Sequence, residues 1–265
     1  MWKLIKKGSG ISFDIFQVNP CFYRDHYEHL EIQDFILLEN LEKHAGEIVK
    51  GYSKLLEPFK GTLSVHGPFK EILLSSADRH VQNLAHRCLS RALLLGGELG
   101  CCLMVVHSCF NPKMQYAGYL ESWLDHASWF WDRLLPLCER QGVVIALENI
   151  FDRTPGPMIR LLNRFKSPFL RACLDIGHVN IFSNLPINEW IYSLGDYLVH
   201  FHIHDNHGLN DEHLPPGQGN INFAWLAGYL HNNNDSNGKV VLVNETFGSI
   251  KTERIFLNFL QQFHA

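Results

Sequence analysis

The residues best suited to chemistry lie between Leu198 and Asn222, in the run LVHFHIHDNHGLNDEHLPPGQGNIN. Val199, Phe201 and Ile203 alternate there with His200, His202 and His204. Side chains on a strand alternate faces, so this pattern describes a strand with one apolar side and a column of imidazoles on the other. Asp205, Asp211 and His213 follow shortly after. Imidazoles and carboxylates gathered in one place need neutralising and orienting, and a cation does both. The stretch is read as a metal site; the alternative is a polar structural network.

The same kinds of side chain recur at the ends of other apolar runs. LSVHG ends in His66, CCLMVVHS in His107 and VVIALEN in Glu148. ACLDIGH ends in Asp175, with His178 just beyond, and VVLVNET ends in Glu245. With His202, six successive strands finish on a metal-competent group. The residues beside each of these are mostly Val, Leu, Ile or Met, so strand parity puts the neighbours on one face and the ligand candidates on the other.

Positioning such groups takes a repeated scaffold. Strands are expected at Ile11–Phe16, Glu31–Leu37, Thr62–His66, Cys101–His107, Val143–Glu148, Leu170–Asp175, Leu198–His204 and Lys239–Glu245. Helical patterns alternate with them: Arg24–Leu30, Leu38–Pro58, Ala77–Leu95, Tyr119–Arg140, Pro157–Phe165 and Ile187–Leu194, then one from Asn222 to about His231 and one from Ser249 to about Phe263. Repeated βα units imply parallel strands, and eight of them in one chain of this size predict a single-domain (β/α)₈ barrel over residues 1–265. An open doubly wound sheet is the competing reading, but no glycine-rich dinucleotide turn follows the first strand. In a barrel, the ligand candidates face the axis at the C-terminal mouth, where such folds place their active sites. His231–Gly238, HNNNDSNG, reads as a surface turn.

Composition fits this picture. The chain has 265 residues, 46% of them hydrophobic, enough for a sizeable core without disulfides. Lys and Arg number 23 against 27 Asp and Glu, a formal charge of −4 that does not suggest a nucleic-acid binder. The clustered cations Arg153, Arg160, Arg164, Lys166 and Arg171 read as a solvated face. The seven cysteines show no CxxC and read as reduced thiols. The first ten residues carry charge but no apolar segment, and no run approaches a membrane span. A cytoplasmic protein is expected. The aromatic-rich helix around Trp123, Trp129, Phe130 and Trp131 leaves room for a homodimer contact.

Taken together, VHGPF (Val65–Phe69), VVHS (Val105–Ser108), LEN (Leu147–Asn149), LDIGH (Leu174–His178), HIHDN (His202–Asn206), DEHLPPGQGN (Asp211–Asn220) and NET (Asn244–Thr246) resemble the xylose-isomerase-like TIM barrels, the superfamily of endonuclease IV and the sugar-phosphate isomerases and epimerases. The resemblance covers nearly the whole chain. Carried over from endonuclease IV, it implies nine ligands for three zinc ions. His66, His107 and Glu148 would form one site. Glu148 would bridge to a second, completed by Asp175, His202 and Glu245, and His178, Asp211 and His213 would form the third. Carried over from the sugar epimerases, it implies a single divalent ion on Glu148, Asp175, His202 and Glu245, with His178 contacting substrate. His204 is also expected against the substrate. Gln218 departs from the Glu that the family commonly carries between two glycines.

Two chemistries then compete. In an isomerase or epimerase, one cation polarises a sugar carbonyl, while Glu148 and Glu245 remove and return a proton. In a phosphodiesterase, metals about 3.5–4 Å apart activate water and stabilise the leaving oxygen. The charge balance favours the sugar enzyme, acting on a free or phosphorylated sugar. The hydrolase stands second, and a barrel that binds sugar without turnover third. Imidazole and carboxylate ligands without Cys suit Zn, Mn, Co or Mg, in one to three ions.

Overall fold

Eight parallel strands close on themselves in the computed structural model, which describes residues 5–70, 72–232, 240–246 and 249–261. They are β1 (Ile5–Ile11), β2 (His29–Ile32), β3 (Thr62–His66), β4 (Cys101–His107), β5 (Val144–Glu148), β6 (Leu170–Asp175), β7 (Leu198–Ile203) and β8 (Val240–Asn244). The ring closes where β1 pairs with β8, from Ile5 opposite Val240 to Ser9 opposite Asn244. The expected (β/α)₈ barrel is therefore the observed one.

The helices, in chain order, are α1 (Phe13–Phe16), α2 (Pro20–His26), α3 (Ala45–Leu56), α4 (Arg79–Glu98), α5 (Tyr119–Gln141), α6 (Gly156–Phe165), α7 (Ile176–Phe182), α8 (Ile187–Leu194), α9 (Phe223–Asn232) and α10 (Ile250–Gln261). They pack their apolar faces on the outside of the barrel, which buries Phe130, Trp131, Trp190 and Phe256 completely. Each such side chain contributes roughly 1.5–3 kcal/mol by leaving water. Trp123, Phe130 and Trp131 thus belong to the core, and Trp129 lies between the guanidinium groups of Arg79 and Arg133. The aromatic side chains of α5 find their partners within the chain. Arg160 and Arg164 pair with Glu121 and Asp125 on α5, as on an ordinary solvated face. The seven cysteines are free thiols. Among the described residues, no helix is long and apolar enough to cross a membrane.

Several expectations shift, among them the helix expected at Arg24–Leu30, which ends at His26 because His29 and Leu30 already belong to β2. The first strand is Ile5–Ile11 rather than Ile11–Phe16. Its inward positions are Gly8 and Gly10, which carry no apolar signal. A Cβ on Gly10 would come within 2.7 Å of the Gln33 amide, so a side chain there would push Gln33 aside. Phe13–Phe16 is a helical turn, its Phe13 N–H held by the Asp34 carboxylate and its Phe16 side chain buried. The second strand stops at Ile32, and a 3₁₀ turn at Asp34–Ile36 replaces the rest of the expected run. A further difference is α7, a helix absent from the expected set, which begins immediately after β6. Asp175 caps it by accepting the His178 N–H at 2.7 Å. The His231–Gly238 turn lies largely outside the described residues, as does the expected end of the last helix at Phe263.

Barrel interiors are usually layers of Val, Ile and Leu. Here one side of the interior is apolar, with Leu103, Val105, Ala146 and Cys173 in contact. The other side carries buried polar groups: His29, Glu31, Ser64 and His200. They form a hydrogen-bonded column. His29 meets Thr62 Oγ1 and Ser64 Oγ at 2.8 Å each, and Ser64 donates to Glu31 at 3.0 Å.

Candidate active site

Register sets the site. His107 on β4 pairs level with Glu148 on β5, and Asp175 on β6 pairs level with His202 on β7. Parity turns these side chains to the axis. At the strands' C-terminal ends, His66, His107, Glu148, His178, Asp211, His213 and Glu245 line one cavity of about 540 Å³. Asp175 and His202 lie fully buried.

The nine residues named from the sequence form one connected cluster. Glu148 Oε2 lies 3.2 Å from His66 Nε2 and 3.3 Å from His107 Nε2. Its Oε1 lies 3.4 Å from both His178 Nδ1 and His202 Nδ1. Asp211 Oδ2 sits between His178 Nε2 at 3.3 Å and His213 Nε2 at 3.2 Å. The loop after β7 brings Asp211 and His213 back over the mouth. There His213 stacks on His204 at 4.0 Å between ring centroids, and its Nδ1 donates to the Glu245 carbonyl at 2.8 Å.

His202 shows what the cluster is suited to hold. Its Nδ1 is buried and makes no hydrogen bond, yet it faces Glu245 Oε2 at 3.3 Å, Glu148 Oε1 at 3.4 Å and Asp175 Oδ2 at 3.9 Å. Its other nitrogen, Nε2, lies 3.1 Å from Glu31 Oε1. An ionised carboxylate only accepts, so Nε2 carries a hydrogen, and loss of the Nδ1 proton would turn a lone pair toward the three carboxylates. One imidazole nitrogen and three carboxylates, all anionic or electron-donating, fit a divalent cation. Glu245 and Glu148 stand 3.3 and 3.4 Å from Nδ1, close to the roughly 3.4 Å between donors bound about 2.1 Å from one ion, and Asp175 stands farther off at 3.9 Å. A proton competes for the same lone pair. Burial alone would lower the His202 pKa, but the acids around it, Cys173, Glu245, Glu31 and Glu148, raise it well above the usual imidazole value.

The two carboxylates expected to move protons differ in acidity. Burial pushes Glu148 up, but the imidazoles of His202, His107 and His178 outweigh it and hold the carboxyl well below its usual range. Glu245 is raised, by burial first and despite His202, with the charge of Glu148 adding to the effect. Glu245 Oε1 also accepts from Gln33 Nε2 at 2.7 Å. Gln33 can reach it because Gly10 has no side chain in the way.

Several residues sit differently from the sequence reading. Glu31 was missed. It is fully buried, with Oε2 2.9 Å from His200 Nε2 and Oε1 on His202. The inward alternation His29, Glu31, Gln33 was the available signal. His200 lies below the mouth beside Glu31. His204, expected against the substrate, is buried and does not line the cavity; its Nε2 meets both oxygens of Asp175 at 3.1 Å. Gly177 leaves room for that ring, since a Cβ there would overlap it. Asp205, grouped above with the ligands, serves the backbone instead. Its carboxylate accepts the N–H groups of Gly217, Gly219 and Ile221 at 2.9, 2.8 and 3.2 Å. That fixes the PPGQG turn, with Gly217 at φ +87° and Gln218 bringing no carboxylate to it. Asp152, also missed, is buried and ties two mouth loops by accepting from Ser108 Oγ and the Ile150 N–H.

Comparison with known proteins agrees with the geometry. The profile of the xylose isomerase-like TIM barrel family matches residues 29–254. The uncharacterized protein MJ1311 of Methanocaldococcus jannaschii is 30% identical over 182 residues, which cover 66% of this chain and 62% of that protein. The chain thus spans less than two thirds of that relative's length. A D-tagatose 3-epimerase-like protein of known structure superposes with a TM-score of 0.80 at 25% identity, over 98% of each chain. A protein from Thermus thermophilus, TTHB071, solved after soaking with ZnCl₂, gives 0.76 at 25% identity over 97% of each. With its closed eight-stranded barrel and family profile spanning most of its length, the chain belongs to the xylose isomerase-like TIM barrel family.

Proposed function

We propose that this protein is a divalent-metal-dependent isomerase or epimerase of a sugar. The observation that carries the reading is the unpartnered Nδ1 of His202 facing the carboxylates of Glu148, Asp175 and Glu245 at the floor of the mouth. Likeness to a D-tagatose 3-epimerase-like protein over nearly the full length supports the same class. An ion held by these four residues would polarise the substrate carbonyl and acidify the adjacent C–H. Glu148 and Glu245, both within 3.4 Å of His202 Nδ1, would take that proton and return one. Gln33 fixes the orientation of Glu245. His178, held by Asn149 O at 2.9 Å and by Asp211, forms part of the cavity wall against which the sugar oxygens would rest.

Glu31 acts on the ion through His202. Replacing Glu31 with Gln would let the new amide donate to Nε2, moving the ring hydrogen to Nδ1 and into the face that should bind metal. The expected result is a roughly 10–100-fold loss of metal affinity in Glu31→Gln, read by calorimetric titration of the stripped protein. Unchanged affinity would remove Glu31 from the account.

A second reading, a multi-metal phosphodiesterase, is favoured by one observation: His66 and His107 both reach Glu148 Oε2, and Asp211 joins His178 to His213, giving donor sets beyond the first four. Against it, no Lys or Arg lines the cavity among the described residues, and a DNA enzyme needs a cationic track. The double variant His66→Ala, His107→Ala separates the two. A single-metal isomerase should lose about tenfold in kcat or less, since these histidines would only orient substrate. It should keep its ion, counted by elemental analysis. Simultaneous loss of turnover and of one ion would favour the hydrolase.

A further inference from the structure

The cavity has two unlike halves. One holds the carboxylates and imidazoles of the site. The other is a wall of Phe69, Ile72, Leu73, Phe110, Phe151 and Phe182. This wall begins at the floor, where Phe69 stacks on His107 with centroids 4.2 Å apart. It runs outward to Phe151, which packs edge-on to Phe182 at 5.1 Å. It ends at the rim with two large apolar side chains left half in water, Leu73 at 47% and Phe151 at 51% exposure. Exposed apolar side chains lining a cavity are a standing cost unless a ligand covers them. A volume of about 540 Å³ also lies within the range of pockets that enclose drug-sized ligands, about 300–1,000 Å³.

Charge narrows the ligand further. Glu148, Asp211 and Glu245 line the cavity, and among the described lining residues there is neither Lys nor Arg. The imidazoles of His66, His107, His178 and His213 are each within ion-pair distance of one of these acids. A sugar phosphate would bring close to two negative charges toward three carboxylates without a Lys or Arg to receive them, the cavity's imidazoles being already paired with those carboxylates.

We propose that the natural substrate is an unphosphorylated, uncharged sugar bearing an apolar substituent, such as an alkyl or aryl group in glycosidic linkage. The hydroxyl-bearing ring lies at Glu148, His178 and Glu245. The substituent lies along Phe69, Phe110 and Phe182 and emerges between Leu73 and Phe151. The proposal rests on the sugar reading above and names the class of sugar. An anomeric substituent keeps the ring closed, so the carbonyl that acidifies the adjacent C–H is a ring ketone.

Binding tests this without requiring turnover. Glucose, phenyl β-D-glucoside, glucose 6-phosphate and phenol are titrated calorimetrically into the manganese-loaded protein, and into Leu73→Ser, Phe151→Ala. Both positions are half exposed, so the double variant should fold, which its melting curve checks. Phenyl glucoside should bind at least tenfold tighter than glucose, glucose 6-phosphate should bind weakest of the sugars, and the variant should lose most of the phenyl advantage. Equal affinity for glucose and its phenyl glucoside, tightest binding of the phosphate, or a phenyl preference that survives in the variant each overturns the proposal. Binding of phenol to the wild type with no sugar bound would leave the apolar wall standing and sink the sugar reading instead. Failure of all four ligands to bind counts against both.

Discussion

Glu245→Gln should lower kcat by about 10³-fold or more while leaving the barrel folded. The substitution preserves shape but removes one of the two groups placed to exchange a proton, and general acid–base catalysis alone is worth about 10²–10⁴. It also removes one negative charge from the nest around His202 Nδ1, where Glu245 Oε2 stands at 3.3 Å. Gln33 donates to Glu245 Oε1, and an amide oxygen at that position can still accept it. Stability should not suffer. The carboxyl is buried and its pKa is raised chiefly by that burial, so a neutral amide relieves a desolvation cost. Steady-state rates on a turned-over sugar, with a melting curve beside them, check both halves. A variant retaining a tenth of wild-type turnover would take Glu245 out of the chemistry.

Stripping the metal should abolish turnover, and adding back Mn²⁺, Co²⁺, Zn²⁺ or Mg²⁺ should restore it to an extent that depends on the ion. Carbonyl polarisation is the one contribution in the proposed mechanism that none of the described side chains in the mouth supplies: the groups at its centre are carboxylates and imidazoles held in pairs. The fold should survive the treatment, because protons on His202 and His178, whose pKa values stand well above the imidazole norm, offset the carboxylates. Binding restores stability by mass action, about 2.7 kcal/mol at a metal concentration one hundred times Kd. A rising melting temperature across a metal titration therefore reports the site independently of activity. Full turnover after exhaustive chelation, with metal absent by elemental analysis, would contradict the metal-dependent reading.

Much of this site was legible because a barrel strand buries both faces. A His or Glu at the end of an otherwise apolar run, as at His107 after CCLMVV or Glu148 after VVIAL, has no packing reason to be there. Parity then places all such groups at one mouth. What escaped detection lacked that contrast. β1 went unseen because Gly8 and Gly10 face inward and no apolar periodicity results. Glu31 sits in a short strand whose inward positions, His29, Glu31 and Gln33, are all polar, so the alternation with Leu30 and Ile32 reads equally as a strand with one solvated face. Its meaning depends on His200 and His202, more than 160 residues later in the chain. Asp205 and His204 have the right chemistry and the wrong surroundings. The first is saturated by four backbone N–H groups and the second is enclosed beneath His213. Residue type and spacing identify donors, but only the packed chain tells which of them face the cavity.

The central claim is that Glu148 and Glu245 move a proton at a sugar carbon beside a carbonyl. The most direct measurement is proton exchange with solvent. The metal-loaded protein is incubated in deuterated water with a panel of keto- and aldo-sugars, free, phosphorylated and glycosidic, and proton NMR follows each carbon. Deuterium is expected at the carbon adjacent to the carbonyl of at least one sugar, appearing with its epimer or isomer and absent with Glu245→Gln. No label in any sugar, together with cleavage of DNA at abasic sites, would contradict it.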